Sequence, residues 1–182
     1  VLENFRKDGI NVLLHHKAEK FFKENGKSFV QCDHQGHKVK IELDAVLVAI
    51  GRKPNTTGFG LEELGVEINQ NGTIKVDDYL RTTKYKNIYA CGDVAGPYQF
   101  THTASHQAWF CAVNAMIKPF WGFKADYRVI PWATYTDPEV ARVGLNETEA
   151  KEKGISYEVT TYGIDDLDRA IADEAAYGVV KV

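Results

Sequence analysis

No apolar run in this chain approaches the ~20 residues a helix needs to cross a bilayer, so a membrane-spanning role is set aside. Neither sign of charge dominates: 22 Lys and Arg against 25 Asp and Glu leave a formal net charge of −3. That balance gives no electrostatic argument for nucleic acid or an anionic membrane surface as partner. Cysteine is sparse, with Cys32, Cys91 and Cys111 far apart, which speaks against a disulfide scaffold and for a reducing, cytoplasmic compartment. No signal peptide is visible. Glycine is not sparse, but no G-x-G-x-x-G is present: Gly58-Phe59-Gly60 follows a turn and lacks the third glycine. What remains, at 44% hydrophobic and 26% charged residues over 182 positions, is an ordinary globular composition for one domain or two small ones.

The most informative stretch present is Ile88-Tyr89-Ala90-Cys91-Gly92-Asp93, an apolar run that ends on a Gly-Asp pair. Read as a strand, it delivers Asp93 to its carboxyl end, where open α/β sheets bind ligands. Gly92 permits close backbone approach there. After a loop, residues 101–118 read as a helix whose first N–H groups face the same crevice. A carboxylate and a helix N-terminus on one site suit a ligand with hydroxyls and a developing negative charge, as in a flavin with its ribityl chain. The same arrangement also occurs as plain packing, with Asp93 capping the segment that follows.

A second motif lies upstream. Ala45-Val46-Leu47-Val48-Ala49-Ile50 is a continuous apolar run, the pattern of a parallel strand covered on both faces. It ends in Gly51-Arg52-Lys53-Pro54-Asn55, a glycine turn with a proline-constrained exit. A third block is Tyr135-Thr136-Asp137-Pro138-Glu139-Val140-Ala141-Arg142-Val143-Gly144-Leu145. In chain order the three blocks resemble the pyridine nucleotide–disulfide oxidoreductase superfamily of FAD- and NAD(P)-dependent flavoproteins. The branch they resemble contains mercuric reductase, dihydrolipoamide dehydrogenase and glutathione reductase. There an A-x-G-R-x-P-N turn closes the NAD domain, an A-x-G-D strand completes the FAD domain, and the third block opens the dimerisation domain.

The resemblance implies an α/β plus α+β fold, with partial Rossmann-like NAD- and FAD-binding pieces followed by the start of an α+β dimerisation domain. The expected division is residues 1–50 as the back half of an NAD(P)-binding domain, 51–120 as the C-terminal part of an FAD-binding domain, and 121–182 as the start of the dimerisation domain. It also implies hydride passing from NAD(P)H to FAD, then to a Cys pair and on to a disulfide or metal-ion acceptor, in a homodimer. Four elements of the superfamily are not in this sequence: two Gly-rich fingerprints, a Cys-x4-Cys pair and a C-terminal His…Glu pair. The expectation is therefore a fragment of a longer flavoenzyme, inactive alone. Two other classes are weighed. The block at residues 136–145 argues against a flavoprotein of the NADH oxidase or ferredoxin reductase type. A non-catalytic dimerisation module would have kept the fold and lost the cofactor.

By resemblance, the carboxylate of Asp93, beside Gly92, accepts a hydrogen bond from a ribityl hydroxyl of FAD. Backbone N–H groups at Phe100, Thr101 and His102 lie near the flavin, where a helix dipole favours negative charge on the reduced ring. Gly51 and Arg52 lie near the nicotinamide and the FAD, although Arg52 reads equally well as a solvated turn residue. His102 and His106 are four apart on one helix, but without a third ligand they read as packing or surface residues. No catalytic or metal-binding residue is assigned. Cys91 and Cys111 read as small buried side chains and not as nucleophiles. His15, His16, His34 and His37 read as solvated polar positions.

Local signals fill in the rest. A helix ends near Lys7 with Gly9 as a left-handed cap, and residues 10–14 read as a strand. Asn25-Gly26 and Gln35-Gly36 read as hairpin turns of a meander ending near Leu43. Residues 61–64 read as a helical turn, and Asn71-Gly72 as the turn of a small hairpin. In the helix over 101–118, Ala104, Ala108, Cys111, Ala112, Ala115 and Met116 form an apolar stripe at helical spacing. Strands are expected over 131–135, 140–143, 156–162 and 177–182, with a helix over 147–153 started by an Asn146/Glu149 capping box and ended by Gly154.

Overall fold

A computed structural model of the chain describes residues 1–117 and 120–182, so the expected end of the long helix at Lys118 lies outside the described residues. The chain divides into two compact units, Val1–Lys53 and Pro54–Val182.

The first unit opens with helix α1 (Leu2–Lys7), followed by Gly9 at φ 78° as a left-handed cap. Three antiparallel strands follow, β1 (His16–Glu24), β2 (Lys27–His34) and β3 (His37–Leu43), in the order β1-β2-β3. Both connections are two-residue turns with two consecutive positive φ angles, 51° and 78° at Asn25-Gly26 and 53° and 87° at Gln35-Gly36. That is the backbone whose twist matches a right-handed strand pair, and Asn and Gly accept it at low steric cost. The registers Glu24↔Lys27 and His34↔His37 follow from these turns. Cys32 on the central strand is buried, and Lys38 is held on the surface by Glu19 at 2.6 Å and Asp33 at 3.1 Å. Neither residues 10–14 nor residues 45–50 form a ladder; both are irregular, and Leu47 and Ile50 are 89% and 93% exposed. A buried parallel strand needs a neighbour on each side, and among the described residues nothing pairs with either run.

The second unit begins with a small core of Val66, Ile74, Ala90 and Ala95, packed by Leu61 of helix α2 (Leu61–Leu64) and by Val76, Tyr85 and Val94. Asn71-Gly72 turns between bridged Ile68 and Ile74, with Gly72 at φ 86°. Residues 88–91 are extended, as expected, but pair with residues 80–82 through isolated bonds: Thr82 N–H to Ile88 O at 2.9 Å and Ala90 N–H to Leu80 O at 3.0 Å. Helix α3 (Thr101–Ile117) follows.

Strand β4 (Trp132–Thr134) pairs antiparallel with β5 (Val140–Arg142) around Asp137-Pro138. Helix α4 (Glu147–Glu152) carries the full capping box: Asn146 Oδ1 accepts from Glu149 N–H at 2.8 Å, and Glu149 Oε2 accepts from Asn146 N–H at 3.1 Å. Such a cap contributes about 1 kcal/mol. Strand β6 (Thr161–Gly163) pairs with β7 (Val179–Lys181), a shorter ladder than residues 156–162 and 177–182 suggest, and helix α5 (Asp168–Ala172) lies between them unforeseen.

Large side chains are exposed in the second unit, among them Trp121 at 67% and Tyr135 at 88%.

Candidate functional site

The site is built where the extended segment 88–91 turns into α3. Cys91 has φ −141° and ψ 162°, and Gly92 then swings to φ 75° to open a 3-10 turn over Gly92–Val94. Only a residue without Cβ takes this step at low cost. A Cβ at Gly92 would also meet the Cβ of Ala104 in α3 at 3.2 Å, so the turn packs on the helix about as closely as backbone allows. The turn closes on itself, with Ala95 N–H and Gly96 N–H both bonded to Gly92 O at 2.9 and 3.1 Å, and it is pinned to the core by Ile74 N–H to Val94 O at 2.7 Å. Asp93, half-buried, is the one ionisable side chain within the turn.

Helix α3 starts a few residues later. Phe100 O accepts the first turn's bond from Ala104 N–H at 2.9 Å. The N–H groups of the first turn have no acceptor within the helix, and Thr101 and His102 are exposed there. Thr103, 1% exposed, keeps its hydroxyl without a hydrogen-bond partner. A carboxylate beside the N–H groups of a helix start suits a polyhydroxylated chain joined to a ring that takes on negative charge. The residues present therefore fit a flavin.

Rings line the approach. Phe100 stacks on His102 at 5.4 Å between centroids and on Tyr98 at 6.0 Å. His106 meets the edge of Phe110 at 4.6 Å. The two histidines of this helix thus pack on aromatic rings, and the described residues contain no group of three His, Cys, Asp or Glu suited to a metal. Cys111 donates weakly to Ala90 O at 3.7 Å, and burial together with the neighbouring Cys91 thiol pushes Cys111 up to about 12. It is a packing residue without thiolate character at neutral pH.

Phe100, Thr101, His102, Gly92 and Asp93 all belong to the second unit and to the single turn-and-helix assembly just described. Gly51, at φ 124°, and Arg52 are exposed at the end of the first unit.

The buried face of α3 differs from the expected apolar stripe. Ala108, Ala112, Ala115 and Met116 are exposed, Met116 to 74%, while Thr103, Gln107, Phe110 and Asn114 are buried. These four also recur at helical spacing, and three of them are polar. Gln107 and Asn114 are fully enclosed. Asn114 Oδ1 accepts from Phe123 N–H at 2.8 Å, and its Nδ2 donates to Phe123 O at 2.8 Å and Tyr79 O at 3.3 Å. The one signal in the sequence was their spacing, which an apolar search passes over.

Residues 1–108 match the family described as pyridine nucleotide-disulphide oxidoreductase, and residues 130–182 match its dimerisation domain. Among curated proteins, a mercuric reductase of Staphylococcus aureus is 36% identical over 99% of this chain and 32% of its own length. A dihydrolipoyl dehydrogenase of Buchnera aphidicola is 38% identical over 94% of this chain and 36% of its own. Among solved structures, the HOCl-induced flavoprotein disulfide reductase RclA of Escherichia coli superposes with a TM-score of 0.82 at 28% identity. That alignment covers 99% of this chain and 40% of the other. The chain spans about a third of the length of the curated relatives it matches, 32% and 36%. Two matches in consecutive order, on a mixed helix-and-strand fold shared with a flavoprotein reductase, place the chain by descent: it belongs to the pyridine nucleotide-disulphide oxidoreductases, an FAD-dependent family that uses NAD(P)H.

Proposed function

We propose that this chain is the part of an FAD-dependent NAD(P)H oxidoreductase that closes the flavin site and begins the dimer interface. The observation that carries the reading is the placement of Asp93 in a glycine turn packed on the start of a 17-residue helix. FAD, when bound, supplies the hydride acceptor between NAD(P)H and a disulfide or metal-ion acceptor. The Asp93 carboxylate accepts a hydrogen bond from a ribityl hydroxyl, and Gly92 allows the turn to lie close. The N–H groups of Phe100, Thr101 and His102, with the dipole of α3 behind them, favour negative charge on the ring. Gly51 and Arg52 contribute from the nicotinamide side.

In this reading residues 1–50 complete an NAD(P)-binding domain, 51–120 complete an FAD-binding domain, and 121–182 begin a domain that forms a homodimer. Support for the dimer is the dimerisation-domain match together with the large exposed side chains of that segment. Three free thiols, Cys32, Cys91 and Cys111, support a cytoplasmic setting. The chain by itself should not turn over, because its sequence carries neither a dinucleotide fingerprint nor a Cys-x4-Cys pair.

The test is an FAD titration of the apo form of the full-length protein carrying this chain, in wild type and Asp93→Ala. Loss of a hydrogen bond to a charged group weakens binding by roughly 10- to 100-fold. Equal affinity in the two proteins, both folded, would remove the carboxylate from the site.

A further inference from the structure

Gln107 sits in the second turn of α3 with no exposed surface and makes three hydrogen bonds, two of them to the turn that carries Asp93. Its Oε1 accepts from Gly92 N–H at 2.6 Å, and its Nε2 donates to Gly96 O at 2.7 Å and to the Tyr127 hydroxyl at 2.8 Å. The two backbone groups bracket Asp93, one on each side of the turn. One is a donor only and the other an acceptor only, so the side chain that joins them must both accept and donate. A neutral amide does this with fixed orientation, and its oxygen and nitrogen are assigned without ambiguity by these partners. A leucine of similar size would leave both backbone groups buried and unpaired.

We propose that Gln107 is a positioning residue for the flavin site: it fixes the Asp93 turn to α3, and thereby sets the carboxylate at constant distance from the helix N-terminus. The inference rests on the flavin reading above and adds a residue to it. The carboxylate and the N–H groups come from different elements, and a ligand that touches both feels any change in their spacing. Gly92 N–H and Gly96 O are the two ends of that turn, so a single side chain from the helix controls both. The bond to Tyr127 extends the same contact to the segment that leads into β4, so the turn, the helix and the start of the C-terminal segment share one buried amide.

The test uses the full-length protein and its apo form titrated with FAD, in Gln107→Leu, Gln107→Glu and Tyr127→Phe, with the visible flavin spectrum recorded in each. Gln107→Leu is expected to weaken flavin binding on the order of tenfold. Gln107→Glu discriminates a positioning role from a merely structural one. Protonated, its carboxyl group accepts from Gly92 N–H and donates to Gly96 O, as the amide does. Ionised, it turns an oxygen with no proton toward Gly96 O. Its flavin affinity is therefore expected to recover towards wild type as pH falls, and to fall away as pH rises, over a range in which wild type is flat. Tyr127 is the titratable group in contact with position 107, and burial raises its phenol, so it stays neutral through that range. Tyr127→Phe keeps both bonds to the turn and is expected to bind flavin as wild type does.

A pH-independent Gln107→Glu variant with wild-type affinity overturns the proposal, and this variant decides the matter if Gln107→Leu does not fold. A loss in Tyr127→Phe equal to that in Gln107→Leu also overturns it, by assigning the effect to the C-terminal segment. If Asp93→Ala loses flavin while Gln107→Leu keeps it, the positioning role fails and the flavin reading stands. If neither changes affinity, the flavin reading itself fails.

Discussion

Replacing Asn114 by leucine isolates the second buried amide of α3, because the two side chains are close in size and no large cavity opens. Three hydrogen bonds vanish: the pair with Phe123 N–H and O at 2.8 Å, and the longer one to Tyr79 O at 3.3 Å. Each short bond has a net worth of about 1 kcal/mol, and each of the two Phe123 backbone groups that loses its short bond adds about 1 kcal/mol. Leucine gains apolar burial that offsets about 1 kcal/mol. The balance is a loss of about 3 kcal/mol, which lowers Tm by roughly 6–12 °C for a chain of this length.

Urea unfolding followed by tryptophan fluorescence reads it, since the Trp109 ring lies 5.5 Å from the ring of Phe123, whose backbone Asn114 pairs. The midpoint should fall at unchanged slope. Asn114→Asp gives the complementary sign. It keeps an acceptor for Phe123 N–H but points a carboxylate at two carbonyl oxygens, so its folded pKa rises above the unfolded value of about 3.9. Stability of that variant is then greatest in acid and is lost as pH climbs through the folded pKa. A leucine variant within about 0.5 kcal/mol of wild type would refute the reasoning, because it would mean Phe123 and Tyr79 find water or other partners without loss.

Two further outcomes follow from the same turn and helix. Gly92→Ala should cost about 2 kcal/mol, from an L residue at φ 75° and a Cβ forced to 3.2 Å from Ala104. Adding Ala104→Gly should restore only the contact part, and full recovery in the double variant, measured by urea unfolding, would show that the backbone angle carries no strain. Cys111 should resist iodoacetamide at pH 8 in the native chain and react in urea, since burial and the Cys91 thiol push it up to about 12. By linkage, its contribution to stability is complete below the ordinary thiol value of 9.0 and lost as pH rises from there toward 12, and a urea midpoint that does not fall over that range would contradict the burial.

What the sequence determined by itself was everything set by a few neighbouring residues. Asn25-Gly26 and Gln35-Gly36 each turn with positive φ at both positions, whereas Asn71-Gly72 turns with positive φ at Gly72 alone, where a residue without Cβ takes it at low cost. Asn146 and Glu149 cap α4 as their spacing demands, because both partners lie within one helical turn. The Gly92-Asp93 turn and the start of α3 at Thr101 were legible for the same reason, as was the family likeness, which is carried by three short blocks.

Tertiary structure decided what depends on a distant partner. The apolar run at residues 45–50 reads as a buried strand, yet ladder bonds come from a neighbour, and among the described residues none lies beside it. The inward face of α3 was decided by acceptors and donors at Tyr79, Gly92, Gly96 and Phe123, up to 35 residues away along the chain. Hydrophobic periodicity locates a face that wants to leave water, whereas Gln107 and Asn114 are buried because backbone groups they cannot know from local sequence are waiting to be paired.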